Sequence, residues 1–229
     1  DGYVLNGTKL FVPNAHVSDN LVVAARTGVG ATDISLFIVS SQAEGVTQNL
    51  LKTIASDRQS EVVFKNVEVP SDSLLGESNT GWATIEKVLQ WGAIGKCAEM
   101  SGGGQEVLDM TVEYAKQRTQ FGRPIGTFQA IQHHCANMAT DVEGAKFITY
   151  QAAWKLSEGL PAEREVAMAK AWVSEAYRRV CALGHQSHGA IGFTKEHNMQ
   201  LYSRRAKAAE LAFGDADLHL EKVAEIIGL

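Results

Sequence analysis

Two short segments of this 229-residue chain carry side chains suited to the phosphates of a dinucleotide. In segment 117–122, the guanidinium of Arg118 can form two parallel hydrogen bonds to phosphate oxygens. In segment 186–197, the amide of Gln186 precedes Gly189, and a glycine allows a backbone to approach a ligand closely. Either segment alone would equally fit a surface arginine or a helix-ending glycine. Together, in this order and at this separation, they predict a dinucleotide site.

The residues that must position these segments change their pattern near residue 70. Before it, Asn6-Gly7 predicts a two-residue hairpin turn between the first two β-rich runs. Runs of β-branched and aromatic residues predict antiparallel strands at 3–5, 8–12, 21–26, 34–39 and 61–64. We therefore expect an antiparallel β-domain, forming a partial barrel, over residues 1–70.

Helical patterning replaces the strand pattern after a linker at 71–81. Apolar residues then recur at three- and four-residue steps, which is typical of helices that bury one face. The pattern predicts four long elements, with a break in the last at Gly214, at 82–116, 128–157, 163–185 and 198–227. The expected fold class is thus α+β, a β-domain followed by an up-down four-helix bundle over residues 82–229.

The composition restricts the function classes. A formal net charge of −5 argues against nucleic acid as the main partner. Because no apolar run approaches the roughly 20 residues that span a bilayer, we expect no membrane partner. The three cysteines, Cys97, Cys135 and Cys181, lie far apart in apolar helical patterns. That arrangement favours free thiols in a cytoplasmic protein over disulfides or a metal site.

Over essentially its whole length the sequence resembles the acyl-CoA dehydrogenases. Segment 186–197 is close to that family's C-terminal signature, with Ala190 standing where glycine or serine is usual. The resemblance implies FAD-dependent dehydrogenation of an acyl-CoA thioester to a trans-2-enoyl-CoA, with an electron-transferring flavoprotein as acceptor. Because the chain opens at Asp1 almost directly in a strand, we expect it to be the C-terminal portion of a longer protein.

The resemblance also implies cofactor contacts at individual residues. Arg118, Gln120 and Phe121 are expected to contact the adenine dinucleotide half of FAD. Gln186 and Gly189 are expected to meet an FAD bound mainly by a neighbouring subunit. That arrangement implies a homo- or hetero-oligomer, either a dimer or a tetramer.

A strand segment matches the part of the family that lies over the isoalloxazine ring. Phe11 keeps the aromatic side chain that shields the ring, while Pro13 falls where a hydroxyl residue is common. Proline offers neither a side-chain donor nor a backbone donor. The alternative for Phe11 is a core residue of an alternating strand.

The catalytic base is the part of the family pattern that the sequence lacks. The two positions where the family carries its proton-abstracting carboxylate hold Phe213 and Gly92, so the catalytic residue is left open. Asp215, beside a glycine and two residues past the first position, is the leading substitute, followed by Asp217, Glu210 and Glu99. A helix cap or a solvated surface carboxylate is the alternative for each of them.

Three functions fit these residues. The first is an acyl-CoA dehydrogenase whose base lies at an unusual position. The second is a non-catalytic subunit that completes the FAD site of a heteromeric dehydrogenase while a partner supplies the base. The third is a helical scaffold without flavin, which the presence of both dinucleotide segments disfavours.

Overall fold

The computed structural model describes residues 2–229 and divides into two compact units, Asp1–Val88 and Leu89–Leu229. The first unit is built from antiparallel strands, and the second from helices. Within the described residues, none of the helices is both long and apolar enough to cross a membrane.

The β unit contains six strands in two three-stranded antiparallel sheets. The strands are β1 (Gly2–Pro13), β2 (Asn20–Arg26), β3 (Ile34–Ser40), β4 (Val46–Leu51), β5 (Gln59–Pro70) and β6 (Leu74–Leu75). One sheet has the order β1-β5-β4 and the other β2-β3-β6. The antiparallel β-domain predicted from the alternating pattern is confirmed, and β4 is a strand that the pattern analysis missed.

The two sheets share one apolar core. Phe37 of β3 and Val67 of β5 are completely buried, and residues of β1 and β2 pack around them. The ring of Tyr3 on β1 meets Phe37 edge to face, with centroids 4.8 Å apart. Since one face of each strand supplies these side chains, the period-2 alternation of the sequence is explained by burial.

The predicted hairpin at Asn6-Gly7 is wrong. The residues on both sides of it belong to one continuous strand, β1, which pairs with β5 along its whole length. At this point the single residue Asn6 lies opposite two residues of β5, Lys65 and Asn66, which form a bulge. The Asn66 backbone N–H donates to the Asn6 side-chain oxygen at 2.8 Å. Asn6 therefore stabilises the bulge between β1 and β5 instead of a hairpin turn.

Part of the predicted 71–81 linker is ordered structure. A short 3₁₀ turn (Ser71–Ser73) leads into β6, which pairs with Leu36 and Phe37 of β3. The boundary between the two units follows Val88, inside the first long helix.

The helical unit confirms the predicted bundle. Its helices are α1 (Trp82–Gln117), α2 (Gln129–Ser157), α3 (Glu163–His188), α4 (Met199–Leu211) and α5 (Ala216–Ile227). The predicted break at Gly214 separates α4 from α5, so two short helices form the fourth element of the bundle.

Helix α3 lies at the centre of this unit and packs against α2, α4 and α5. Its Val173 and Val180 are buried together with Met100 of α1 and Met138 of α2. Tyr177 of α3 approaches α1 closely, since a Cβ atom added at Gly103 would lie 2.4 Å from the Tyr177 hydroxyl. Close packing therefore explains a glycine in the interior of α1, where it otherwise costs helix stability.

Candidate active site

Segment 118–125 forms a small hairpin directly after α1. Strand β7 (Thr119–Gln120) pairs with β8 (Arg123–Pro124). The two residues between them, Phe121 and Gly122, both have positive φ angles, 52° and 79°. Two successive positive φ values are the mark of a type I′ turn, which matches the twist of a hairpin. The turn leaves the Phe121 side chain 93% exposed.

Backbone and ring contacts fix this hairpin on the helical unit. The Arg118 N–H donates to the carbonyl of Tyr114, and the Ile125 N–H donates to the carbonyl of Arg118, both at 2.8 Å. The Arg123 guanidinium lies over the Phe128 ring, 4.2 Å from its centroid. Among residues 2–229, no acceptor or acid pairs with the Arg118 guanidinium, which is therefore available for a ligand.

The end of α3 places Gln186 and Gly189 at the surface. Gly189 adopts φ 66° and ψ −146°, a conformation nearly restricted to glycine, and its N–H donates to the His185 carbonyl. Beside the exposed Gln186, His188 is buried and stacks on Tyr114 with ring centroids 4.5 Å apart. The His188 Nδ1–H donates to the Gly184 carbonyl at 2.8 Å, which fixes the imidazole.

The two predicted segments border one groove, here called the Arg118 groove, of about 450 Å³. Its predicted members are Arg118, Gln120, Phe121, Gln186 and Gly189. Its other walls are Tyr114, Ile125, Phe128, Ile131, Ser187, His188 and Ala190. Of these, the sequence pointed only to His188, as a residue that flanks Gln186, and the other six were missed as contacts. A signal for some of them existed, because Tyr114 lies one helical turn before Arg118 and Phe128 opens the apolar stripe of α2.

The chemistry of the groove fits part of a dinucleotide. Arg118 supplies a permanent positive charge with forked donors, and Gln120 and Gln186 supply neutral donors and acceptors. Phe121 and Phe128 offer aromatic surface for a planar ring. These groups suit a ligand with phosphates and a heteroaromatic base. That the five predicted residues bind FAD stays a prediction.

The two predicted flavin residues of the β unit lie at a second irregularity of β1. Leu10 and Phe11 of β1 together lie opposite the single residue Glu61 of β5, so these two residues form a bulge on β1. Phe11 has a φ of 58° and is 64% exposed, so the alternative of a core residue is wrong. Pro13 pairs with Gln59 at the end of the strand and is also exposed. The expected flavin contacts of both stay predictions.

The two positions that lack the expected base meet at one place in the helical unit. Gly92 lies on α1, and Phe213 lies in the turn between α4 and α5, residues 212–215, here called the α4–α5 turn. A Cβ atom added at Gly92 would lie only 2.3 Å from Cε1 of Phe213. The aromatic ring thus fills the space that a side chain at position 92 would need.

The α4–α5 turn has a defined geometry. Phe213 and Gly214 both have positive φ, 59° and 93°. The Nε2–H of the buried His219 donates to the Phe213 carbonyl at 2.9 Å. Asp215 is the N-cap of α5, because its side chain accepts from the Leu218 N–H at 3.0 Å. The capping alternative for Asp215 therefore has a structural basis, while a catalytic role stays a prediction.

The other acidic candidates lie in ordinary surroundings for helix surfaces. Glu99 pairs with Lys96 at 2.6 Å and is half exposed, and Asp217 is exposed in the first turn of α5. Glu210 differs from them. One of its oxygens pairs with Lys207, while the other is buried with no partner among the described residues.

A lysine that the sequence analysis missed also contacts the α4–α5 turn. Lys170 of α3 is completely buried, and its ammonium donates to the carbonyls of Glu210 and Gly214. A signal was present, because Lys170 lies on the buried stripe of α3 between Ala167 and Ser174, where a charged residue is unusual.

Family models identify the class of protein. The middle domain of acyl-CoA dehydrogenase matches residues 1–67, and its C-terminal domain matches residues 79–228. The chain belongs to the acyl-CoA dehydrogenase family.

Individual relatives agree with this assignment. A 3-(aryl)acrylate reductase of Clostridium sporogenes is 36% identical over 230 residues, covering 98% of this chain and 61% of the relative. The butyryl-CoA dehydrogenase structure from Megasphaera elsdenii matches with a TM-score of 0.94 and 31% identity, over 99% of this chain and 61% of the other. An FAD complex of PigA matches with a TM-score of 0.95 and 28% identity, over 100% and 61%. The chain spans about three-fifths of the length of each of these proteins.

Proposed function

We propose that the chain is the middle and C-terminal part of an FAD-dependent acyl-CoA dehydrogenase that introduces an α,β double bond into an acyl-CoA thioester. The observation that carries this proposal is the Arg118 groove, which unites both predicted dinucleotide segments on one surface. The FAD complex among the structural neighbours supports the choice of cofactor. The activity belongs to the longer protein of which this chain supplies these two domains.

Each part of the site has a separate task in this proposal. FAD held at this site would supply the acceptor for the hydride that leaves the substrate. Arg118 holds a phosphate, Gln120 and Gln186 orient the dinucleotide by hydrogen bonds, and Phe121 shields it from water. Since Gln186 and Gly189 serve an FAD bound mainly by another subunit, the working protein is a homo- or hetero-oligomer. An electron-transferring flavoprotein is the expected acceptor, and the cytoplasm is the expected location.

A second function is favoured by the contact between Gly92 and Phe213. With an aromatic ring in the space where the family places its carboxylate, the chain cannot remove the α-proton from either usual position. The chain would then complete the FAD site of a heteromeric dehydrogenase, and a partner subunit would supply the base. This function and the first require the same Arg118 groove.

The absorption spectrum of the purified full-length protein tests the proposal. A bound flavin spectrum, bleached by one member of a panel of straight and branched saturated acyl-CoAs, supports the dehydrogenase. A flavin spectrum that no acyl-CoA bleaches until a second subunit is added supports the partner role. Because one relative is named a 3-(aryl)acrylate reductase, the reduced protein is also mixed with a 3-arylacrylate, and return of the flavin spectrum would show the reverse direction. A protein purified without flavin, and unable to take it up, would contradict both functions.

A further inference from the structure

Lys170 is the one lysine among residues 2–229 that is completely buried. It lies in the middle of α3, and its Nζ donates three hydrogen bonds. The acceptors are the Ser174 hydroxyl at 3.0 Å, the Glu210 carbonyl at 2.8 Å and the Gly214 carbonyl at 2.7 Å. A lysine ammonium has three N–H donors, so all of them are used.

The cost of burying this group indicates a purpose beyond packing. Burial lowers the pKa of Lys170, while the nearby Cys97, Glu210 and Asp215 raise it. A methionine or leucine would fill the same space without removing a charge from water. The hydrogen bonds to Glu210 and Gly214 are what such a residue could not make.

The two carbonyls that Lys170 binds flank Phe213 in the chain. The Glu210 carbonyl lies in the last turn of α4, where helix carbonyls lack intrahelical partners and a cation is favourable. The Gly214 carbonyl lies directly after Phe213. Between them, the Phe213 carbonyl is held by His219. Three successive anchors therefore hold the backbone on both sides of a residue with φ of 59°.

We propose that Lys170 is a positioning residue that fixes the α4–α5 turn and thereby holds the side chain of residue 213 against Gly92. The link to proton transfer rests on the proposed function, but the positioning itself does not. The identity of residue 213 therefore determines whether a proton acceptor lies beside Gly92, whereas Lys170 determines where the side chain of residue 213 lies.

Fluorine NMR of the full-length protein labelled with 4-fluorophenylalanine tests the positioning. The chain has 8 phenylalanines, and the resonance of Phe213 is assigned as the one missing from Phe213→Leu. Lys170→Met keeps the volume and removes all three donors, so we expect the Phe213 resonance to shift or split. The reference is Phe193, which follows α3 and stacks on His185, and its resonance should stay in place. A Phe213 resonance identical to that of the unmodified protein, in a folded variant, would overturn the proposal.

Lys146→Met is the matched control, because Lys146 is a half-exposed lysine of α2 that lies over the neighbouring Phe147 ring. It should move the Phe147 resonance and leave that of Phe213 unchanged. A Phe213 shift of equal size in this control would show a general effect of charge removal and would also overturn the proposal.

A measurement on the unmodified protein covers the case in which Lys170→Met does not fold. Nitrogen-15 NMR of the lysine ammonium groups should show one group that is protected from exchange with water and coupled across hydrogen bonds to the Glu210 and Gly214 carbonyls. Absence of a protected ammonium would refute the inference. Neither measurement depends on flavin or turnover, so a failure here is distinct from a failure of the proposed function.

Discussion

The Arg118 groove keeps the residues that the family pattern predicts, whereas the α4–α5 turn departs from that pattern. The groove contains all five residues of the helical unit that are expected to touch a dinucleotide, including the forked donor of Arg118 and the glycine-only backbone at Gly189. The turn keeps a rigid backbone, held by Lys170 and His219, but presents an aromatic ring where a carboxylate is expected. Under the proposed function, cofactor binding and proton transfer would therefore depend on two separate regions of the helical unit.

The largest expected effect comes from placing a carboxylate base at position 213 of the α4–α5 turn. With Phe213 and Gly92 at the usual base positions, the full-length homo-oligomer should bind FAD but reduce it slowly with acyl-CoAs. A positioned general base contributes roughly 10²- to 10⁴-fold to rate, so Phe213→Glu should accelerate flavin bleaching by up to that factor. Stopped-flow absorbance measures the rate.

The matched control is Phe213→Gln, which has the same shape as the glutamate variant but cannot accept the proton. Equal bleaching by the two variants would show that relief of crowding against Gly92, rather than a base, causes the change. Fast bleaching by the unmodified homo-oligomer would remove the case for a partner subunit.

The second largest effect concerns the groove. Arg118→Ala removes a charge-assisted phosphate contact of roughly 1.5 to 3 kcal/mol, which corresponds to roughly 10- to 150-fold weaker FAD binding. Flavin content after purification and a titration of the apoprotein with FAD measure it. Arg178→Ala is the control, because Arg178 is an exposed arginine of α3 that pairs with Glu175. A full complement of FAD in Arg118→Ala would show that the groove has been assigned wrongly.

A third prediction separates the two possible roles of Asp215. Asparagine caps a helix about as well as aspartate but cannot serve as a base, whereas alanine does neither. Asp215→Ala should therefore lower the free energy of unfolding by about 1 kcal/mol. Asp215→Asn should change the free energy of unfolding by only about 0.3 kcal/mol. Urea unfolding measures both variants. If Asp215 is the substitute base, Asp215→Asn also abolishes residual flavin bleaching, and bleaching that survives refutes this role.

Sequence patterns were sufficient where one short segment determines the structure. The stripe of α3 and the break at Gly214 follow from the local pattern, and five of the groove residues follow from two motifs. The Asn6-Gly7 turn failed because pairing with β5 outweighs the local turn preference. The stripe marks Lys170 as unusual, but its contacts with the turn and the contact of Phe213 with Gly92 could not be predicted. They join residues about 40 and 120 positions apart in the chain, which local periodicity does not relate.

The smallest expected effect concerns pH and compares the histidines of the two regions. Burial lowers the pKa values of His185 and His188 beside the groove and of His219 at the turn below their ordinary 6.5. Between pH 6.5 and these lower pKa values, the unfolded chain binds more protons than the folded chain. The neutral histidines therefore contribute fully to the free energy of unfolding above pH 6.5, and this contribution is lost as the pH decreases. Thermal unfolding between pH 7.5 and about 5 measures this slope.

Single substitutions show which region is responsible. His188→Gln and His219→Gln should each reduce the slope. Protonation of His188 would place a buried charge beside His197, whose ring centroid is 4.9 Å away. We therefore expect acid to raise hydrogen exchange at 184–189 by breaking the contacts that hold Gln186 at the groove. If exchange rises first at 213–219 instead, the turn is the acid-sensitive region and the groove is the more robust of the two.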